Sequence, residues 1–214
     1  MIRAVLFDMD GVLIDAADWH YHALNRALAL FGFTISRFDH CTSLDGLPTS
    51  RKLEMLSVER GLPRALHSFI NEMKQRFTTE MIHTLCKPRF AQEQALATLR
   101  DQGYRLAVCS NSIRPTVELM MSRAGLADYL DLVLSNQDVS HAKPHPEIYI
   151  TAMERLGCRP DECLIVEDNE HGISAAKASG GHLLVVQSVS ETNIGNIMQA
   201  IARAQECPGA GLAA

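Results

Sequence analysis

Five short runs of branched and apolar residues limit what this chain can fold into more than any other feature: Ala4 to Phe7, Leu106 to Cys109, Leu132 to Leu134, Leu164 to Val166 and Leu183 to Val186. Each is followed by a polar or glycine-bearing turn and then an amphipathic segment. Strand-like runs that alternate with helical patterns specify a parallel sheet with helices on both faces. The helices are punctuated as such elements usually are. Pro115 and Pro146 stand where a first turn tolerates proline, while Gly103, Gly125 and Gly157 stand where helices stop.

Between Ala16 and about Leu85 the rhythm changes, because no strand-like run interrupts a series of helical patterns. Leu24, Ala27, Leu28 and Phe31 make one apolar stripe before Gly32. Leu66, Phe69, Ile70, Met73 and Phe77 make another after Pro63, and Pro48 to Arg60 reads as a shorter helix ended by Gly61. A helical insert after the first strand is expected. The final stretch from Cys207 reads as a frayed tail. Its Gly209-Ala210-Gly211 has neither the strand before it nor the helix after it that a dinucleotide fingerprint needs.

The 214 residues fit one large domain or one domain with an insertion, and 47% hydrophobic against 21% charged residues is enough to build a core. A net charge of -5, with no basic run, argues against nucleic acid as the main partner. Cys41, Cys86, Cys109, Cys158, Cys163 and Cys207 lack framework or zinc-ligand spacing and read as buried, reduced thiols. No signal-peptide core is visible, and nowhere are there the ~18 consecutive apolar residues of a membrane span. A soluble, cytoplasmic chain with no membrane partner is expected, as a monomer or small homo-oligomer.

The strongest chemical signal is Asp8-Met9-Asp10-Gly11, directly after the first strand. Residues two apart in extended chain point the same way, so both carboxylates can face one cavity at the carboxyl end of the strand, where open α/β sheets bind ligands. A calcium loop fails, because Leu13 and Trp19 stand where that pattern needs glycine and an acid. Three more strand ends bring Ser110-Asn111, Lys143-Pro144 and Glu167-Asp168 to the same edge. Singly, these read as a helix cap, a surface lysine and a turn. Their common placement speaks against that reading.

LFDMDGVLID, VCSNS, AKPHPEIY and VEDNEHGISAAKASG, in this order, resemble the four motifs of the haloacid dehalogenase-like superfamily, within its β-phosphoglucomutase and small-molecule phosphatase branch. The resemblance runs from Arg3 to about Val186. It implies an α/β fold: a Rossmann-like doubly wound parallel sheet core over 1–15 and 86–206, with an inserted all-helical cap over 16–85 and a tail at 207–214. It also implies a Mg²⁺-dependent phosphatase acting on a small phosphorylated metabolite, a sugar or polyol phosphate. Asp8 would be the nucleophile and form a phosphoaspartate. Asp8 and Asp168 would be side-chain ligands of Mg²⁺, Asp10 would offer its backbone carbonyl, and Glu167 would bind or orient the ion. The Asp10 side chain would serve as general acid and base. Lys143 and Ser110 would hold the phosphoryl oxygens.

Asn111 and, from the insert, His20 and Arg51 are the expected substrate contacts. For His20 a half-exposed histidine in a first helical turn is the competing reading; for Arg51, and more so Lys52, it is a solvated basic helix face. The mutases of this branch place a phosphate-gripping arginine where this chain has Thr49 and a lysine where it has Asp45, which favours hydrolysis over the alternative of a sugar-phosphate mutase. A non-enzymatic phosphoacceptor of the receiver type also clusters aspartates, a hydroxyl and a lysine, but the D-x-D-G and the large insert do not suit it. A hydrolytic dehalogenase lacks the acid matched by Asp10.

Overall fold

The computed structural model describes residues 1–44 and 46–206. Asp45, Cys207, the Gly209-Ala210-Gly211 stretch, the expected frayed tail and the Cys41 side chain lie outside the described residues. The chain divides into two compact units, one of Ala16–Cys86 and the other of Met1–Asp15 with the chain from Lys87 onward.

Among its described residues the regular elements of the first are all helical: α1 (Ala17–Ala29), a single turn α2 (Arg37–Asp39) leading into a π turn (His40–Leu44), α3 (Thr49–Arg60), a 3-10 turn (Arg64–Leu66) and α4 (His67–Leu85). Its core gathers Leu24, Ala27 and Leu28 of α1, Leu53 and Leu56 of α3, and Ile70 of α4. Gly61 ends α3 in the left-handed conformation, at φ 69°.

The stripe expected on α4 differs in part. Ile70 is buried, but the buried row continues through Lys74, Thr78 and Ile82, and Phe69 is 48% exposed. Local partners make that burial tolerable. The Thr78 hydroxyl donates to the Lys74 carbonyl at 2.8 Å, and Lys74 Nζ lies 3.1 Å from His20 Nδ1 on α1.

The second unit is an α/β layer structure. Its strands are β1 (Ala4–Phe7), β2 (Arg105–Cys109), β3 (Leu132–Leu134), β4 (Cys163–Glu167) and β5 (His182–Val185). They form one parallel sheet in the order β3-β2-β1-β4-β5. Helices α5 (Phe90–Asp101), α6 (Arg114–Arg123), α7 (Glu147–Leu156), α8 (Glu170–Ser179) and α9 (Ile194–Glu206) complete it. Every residue of β1 and β4 is buried, as expected for parallel strands covered on both faces. From β1 the chain builds outward through β2 and β3, then crosses back to add β4 and β5 on the other side. The reversal opens a crevice between the carboxyl ends of β1 and β4, where such sheets take their ligands.

β4 runs one residue beyond the expected Val166, to include Glu167. Its backbone is in the ladder, opposite Val185, and its carbonyl accepts from Val186 N–H at 2.8 Å. A fully buried carboxylate in a strand costs several kcal/mol unless paired. Cys86, Cys109, Cys158 and Cys163 are buried free thiols. Among the described residues no helix is long and apolar enough to cross a membrane.

Candidate active site

The ladder carries one bond past β1, with Asp8 N–H donating to the Val166 carbonyl at 3.0 Å, and leaves Asp8 buried. The backbone then turns sharply. Leu13 and Ile14 N–H both donate to the Met9 carbonyl at 2.9 Å, and Gly11 N–H donates to Ile14 at 2.7 Å. Gly11 has φ +88°, and a Cβ there would lie 1.9 Å from Asp168 Oδ2. Glycine is therefore required twice, by the backbone conformation and by the neighbouring carboxylate.

Lys143 joins the two sides of the crevice. Its ammonium donates to Asp8 Oδ1 and to Glu167 Oε1, each at 2.6 Å. Tyr149 on α7 donates its hydroxyl to the same Glu167 oxygen at 2.6 Å, and the Lys143 Nζ lies 4.8 Å from the centre of the Tyr149 ring. The other Glu167 oxygen accepts from Asp168 N–H at 3.1 Å. Glu167 is 0% exposed, yet it is paired and hydrogen-bonded on both oxygens, which is what makes its burial tolerable. The Lys143–Pro144 peptide is cis.

Residues after β2 hold this lysine in place. Lys143 N–H donates to Asn111 Oδ1 at 3.0 Å, and the Asn111 amide returns a bond to the Lys143 carbonyl at 3.3 Å. Ser110 Oγ accepts from Ser112 N–H at 3.1 Å, and the Ser112 hydroxyl donates to Asp10 Oδ2 at 3.3 Å. Across the crevice, Asn169 caps α8 by accepting from the N–H groups of His171 and Gly172, both at 3.1 Å. The cap sets the first turn of α8 over Glu167. A Cβ on Gly172 would meet Glu167 Oε1 at 1.8 Å.

The electrostatics follow from crowding. Burial pushes the Asp8 carboxyl well above its ordinary value; Lys143 pulls it back, while Glu167, Asp168 and Asp10 push it up again. Burial alone would lower Lys143, but Asp8 and Glu167 outweigh it and hold the ammonium above its usual range. Burial, then Glu167, raises the Tyr149 hydroxyl. Four carboxyl groups face one buried cation. That balance is short of positive charge.

The donor set suits a hard divalent cation. One oxygen each from Asp8, Glu167 and Asp168 lie within 4.8 Å of one another. Mg²⁺ takes oxygen ligands at about 2.0–2.1 Å and keeps several waters, so a few carboxylates suffice. Lys143, Tyr149 and the Asp168 N–H together bond both Glu167 oxygens, which suits this carboxylate to orient its neighbours.

The structure thus gathers Asp8, Asp10, Ser110, Lys143, Glu167 and Asp168 at one sheet edge. Asn111, expected at the substrate, has its carboxamide bonded to the Lys143 backbone. His20 and Arg51 belong to the helical unit: His20 is half-buried beside Lys74, and Arg51 is exposed on α3. Sequence reasoning missed Ser112, Tyr149 and Gly172. Ser112 and Gly172 stand inside the quoted motifs and Tyr149 closes one, but nothing in their residue types announces a role.

A family model described as haloacid dehalogenase-like hydrolase matches residues 5–186. A phosphorylated carbohydrates phosphatase of Thermotoga maritima is 28% identical over 182 residues, covering 84% of this chain and 82% of the relative. A phosphoglycolate phosphatase of Pectobacterium atrosepticum is 30% identical over 186 residues, covering 84% of this chain and 77% of the relative. The crystal structure of a β-phosphoglucomutase from Clostridium difficile is similar in fold, with a TM-score of 0.82 at 22% identity over 97% of this chain and 100% of that one.

Proposed function

We propose that this chain, which belongs to the haloacid dehalogenase-like hydrolase family and is a phosphatase, uses Mg²⁺ to hydrolyse a small phosphorylated metabolite through a phosphoaspartyl intermediate on Asp8. The observation that carries this reading is the Lys143 ammonium held 2.6 Å from both Asp8 and Glu167, beside Asp168. A phosphate monoester resists uncatalysed hydrolysis, so a catalyst must position a nucleophile and neutralise the phosphoryl oxygens.

An Asp8 oxygen attacks phosphorus, and the bond from phosphorus to the leaving oxygen breaks while Asp10 supplies that oxygen with a proton. Water then attacks the same phosphorus and gives a proton to Asp10, and the bond from phosphorus to Asp8 breaks to release phosphate. Ser112 at Oδ2 orients Asp10 for both transfers. Lys143 and Ser110 hold the phosphoryl oxygens, and Asn111 fixes the segment that carries the lysine. Asp8, Asp168 and the Asp10 carbonyl would hold Mg²⁺, with Glu167 orienting them; bound there, the ion supplies the positive charge that the site is short of. A sugar or polyol phosphate is the favoured substrate class, because a relative over most of the chain is named a phosphorylated carbohydrates phosphatase. His20 and Arg51 are assigned to substrate selection by the helical unit.

Phosphate release from a panel of sugar, polyol and nucleotide monophosphates, with and without Mg²⁺, tests this reading. Turnover should need Mg²⁺ and vanish in Asp8→Asn at unchanged circular dichroism. Persistent turnover in a clean Asp8→Asn preparation refutes the nucleophile, and isomer formed from glucose 1-phosphate in place of free phosphate refutes hydrolysis.

A further inference from the structure

Lys143 lies in sequence between two histidines, and it is buried where they are exposed. Lys143 is 3% exposed, whereas the His141 and His145 side chains are 67% and 52% exposed. Both imidazoles turn toward one carboxylate. His141 Nδ1 is 2.9 Å and His145 Nδ1 3.8 Å from Glu147 Oε2, and the two rings lie 4.7 Å apart, tilted by 37°. One ligand atom from each of the three residues lies within 4.8 Å of the others.

We propose that His141, His145 and Glu147 form a binding site for a divalent transition metal of the zinc class, distinct from the oxygen cluster around Asp8. The spacing fits. Four-coordinate zinc holds nitrogen and oxygen ligands at about 2.0–2.2 Å, so neighbouring ligand atoms in a tetrahedron stand about 3.4 Å apart. The two observed separations bracket that value, and small rotations of exposed imidazoles close the difference. Two histidines and a carboxylate, with a fourth position open to water, are also a donor set that zinc accepts.

Backbone donors set the ligands in advance. Glu147 Oε1 accepts from Ser140 N–H at 2.8 Å and Oε2 from His141 N–H at 3.0 Å, which orients the carboxylate. These bonds and His141 hold the carboxyl of Glu147 below its ordinary value, ionised as a ligand must be. His145 Nδ1 accepts a long bond from Glu147 N–H at 3.3 Å, and a metal would take that lone pair in place of the N–H. On binding, the Nδ1 proton that His141 donates to Glu147 moves to Nε2 on the solvent side, and the metal takes its place. Mg²⁺ does not compete, since it prefers oxygen ligands and retains its waters. An ion here would tie together both ends of the segment that carries Lys143.

The test uses the full chain in saturating Mg²⁺, with no reference to turnover. Zn²⁺ is titrated calorimetrically into the wild type and into His141→Ala/His145→Ala, and histidine ring resonances are followed by NMR. The wild type should take up one more equivalent of Zn²⁺ than the double variant, with shifts at His141 and His145 and a higher thermal midpoint. Because both histidines are exposed, the variant should keep its circular dichroism; if it does not, the ring shifts in the wild type decide alone. Equal uptake by the two proteins, or shifts confined to other histidines, overturns the proposal. Failure of the phosphatase reading leaves these readouts unaffected.

Discussion

The Tyr149 hydroxyl shares one oxygen of Glu167 with the Lys143 ammonium, each bond 2.6 Å long. Tyr149 is 0% exposed and packs in the same apolar cluster as Ile165 and Ala176. The Tyr149 hydroxyl thereby ties this apolar cluster to the carboxylates at the sheet edge. Tyr149→Phe keeps the ring and removes that atom, so it should lower phosphate release and Mg²⁺ affinity by about 10-fold or more, in the range found for groups that orient metal ligands. Stability should fall by about 1–3 kcal/mol, because a buried acceptor loses a donor. Steady-state kinetics across a Mg²⁺ titration checks this. A change in KM alone, with kcat and Mg²⁺ dependence intact, would leave Tyr149 a packing residue.

Gly11→Ala should be more damaging than any conservative surface change. The new methyl would fall 1.9 Å from Asp168 Oδ2 at a backbone φ of +88°. Either the turn after β1 opens or Asp168 is driven aside. The left-handed conformation alone costs about 1–2 kcal/mol for a residue with a side chain. A loss of activity of about 10- to 100-fold, with reduced Mg²⁺ affinity, is expected. Wild-type Mg²⁺ dependence in this variant would show that Asp168 does not hold the ion.

Much of this arrangement was legible in the sequence, and the reasons are local. Ala4 to Phe7 and Leu164 to Val166 read as strands because buried parallel strands are continuously apolar. Asp8 and Asp10 read as a pair because an extended chain repeats every two residues. The roles of Ser112, Tyr149 and Gly172 depend on approaches between segments distant in sequence, such as Tyr149 to Glu167, and no local period encodes those. The α4 stripe holds in Leu66, Ile70, Met73 and Phe77, which lie in or against the helical core, and fails at exposed Phe69. Lys74 joins the buried row because His20, on another helix, receives its ammonium. The pairing of the Asn111 carboxamide with the Lys143 backbone is another approach between distant segments that no local pattern encodes.

Gly172 offers a test in which two principles oppose each other. In a helix, alanine ordinarily stabilises over glycine by about 0.5–1 kcal/mol. Here the added carbon would lie 1.8 Å from Glu167 Oε1. The collision outweighs the propensity, so Gly172→Ala should lower the thermal midpoint and reduce phosphate release. A stabilised, active variant would mean that α8 can slide away from Glu167 at little cost.

Alkaline pH should weaken the fold through two thiols of the sheet. Burial pushes Cys109 and Cys163 from an ordinary 9.0 up to about 12. With the folded value raised, the native state keeps its protons where the unfolded chain has lost them. Their contribution to stability is therefore fully present below about pH 9 and is lost as pH rises toward 12. Tyrosines and lysines titrate in the same window, so the comparison must be with Cys109→Ala/Cys163→Ala rather than with neutral pH. Urea midpoints measured at several values above pH 9 should fall more steeply in the wild type than in the double variant. Parallel slopes would place the alkaline sensitivity elsewhere, with the buried Tyr149 hydroxyl, raised from 10.0 by the same desolvation, as the next group to replace.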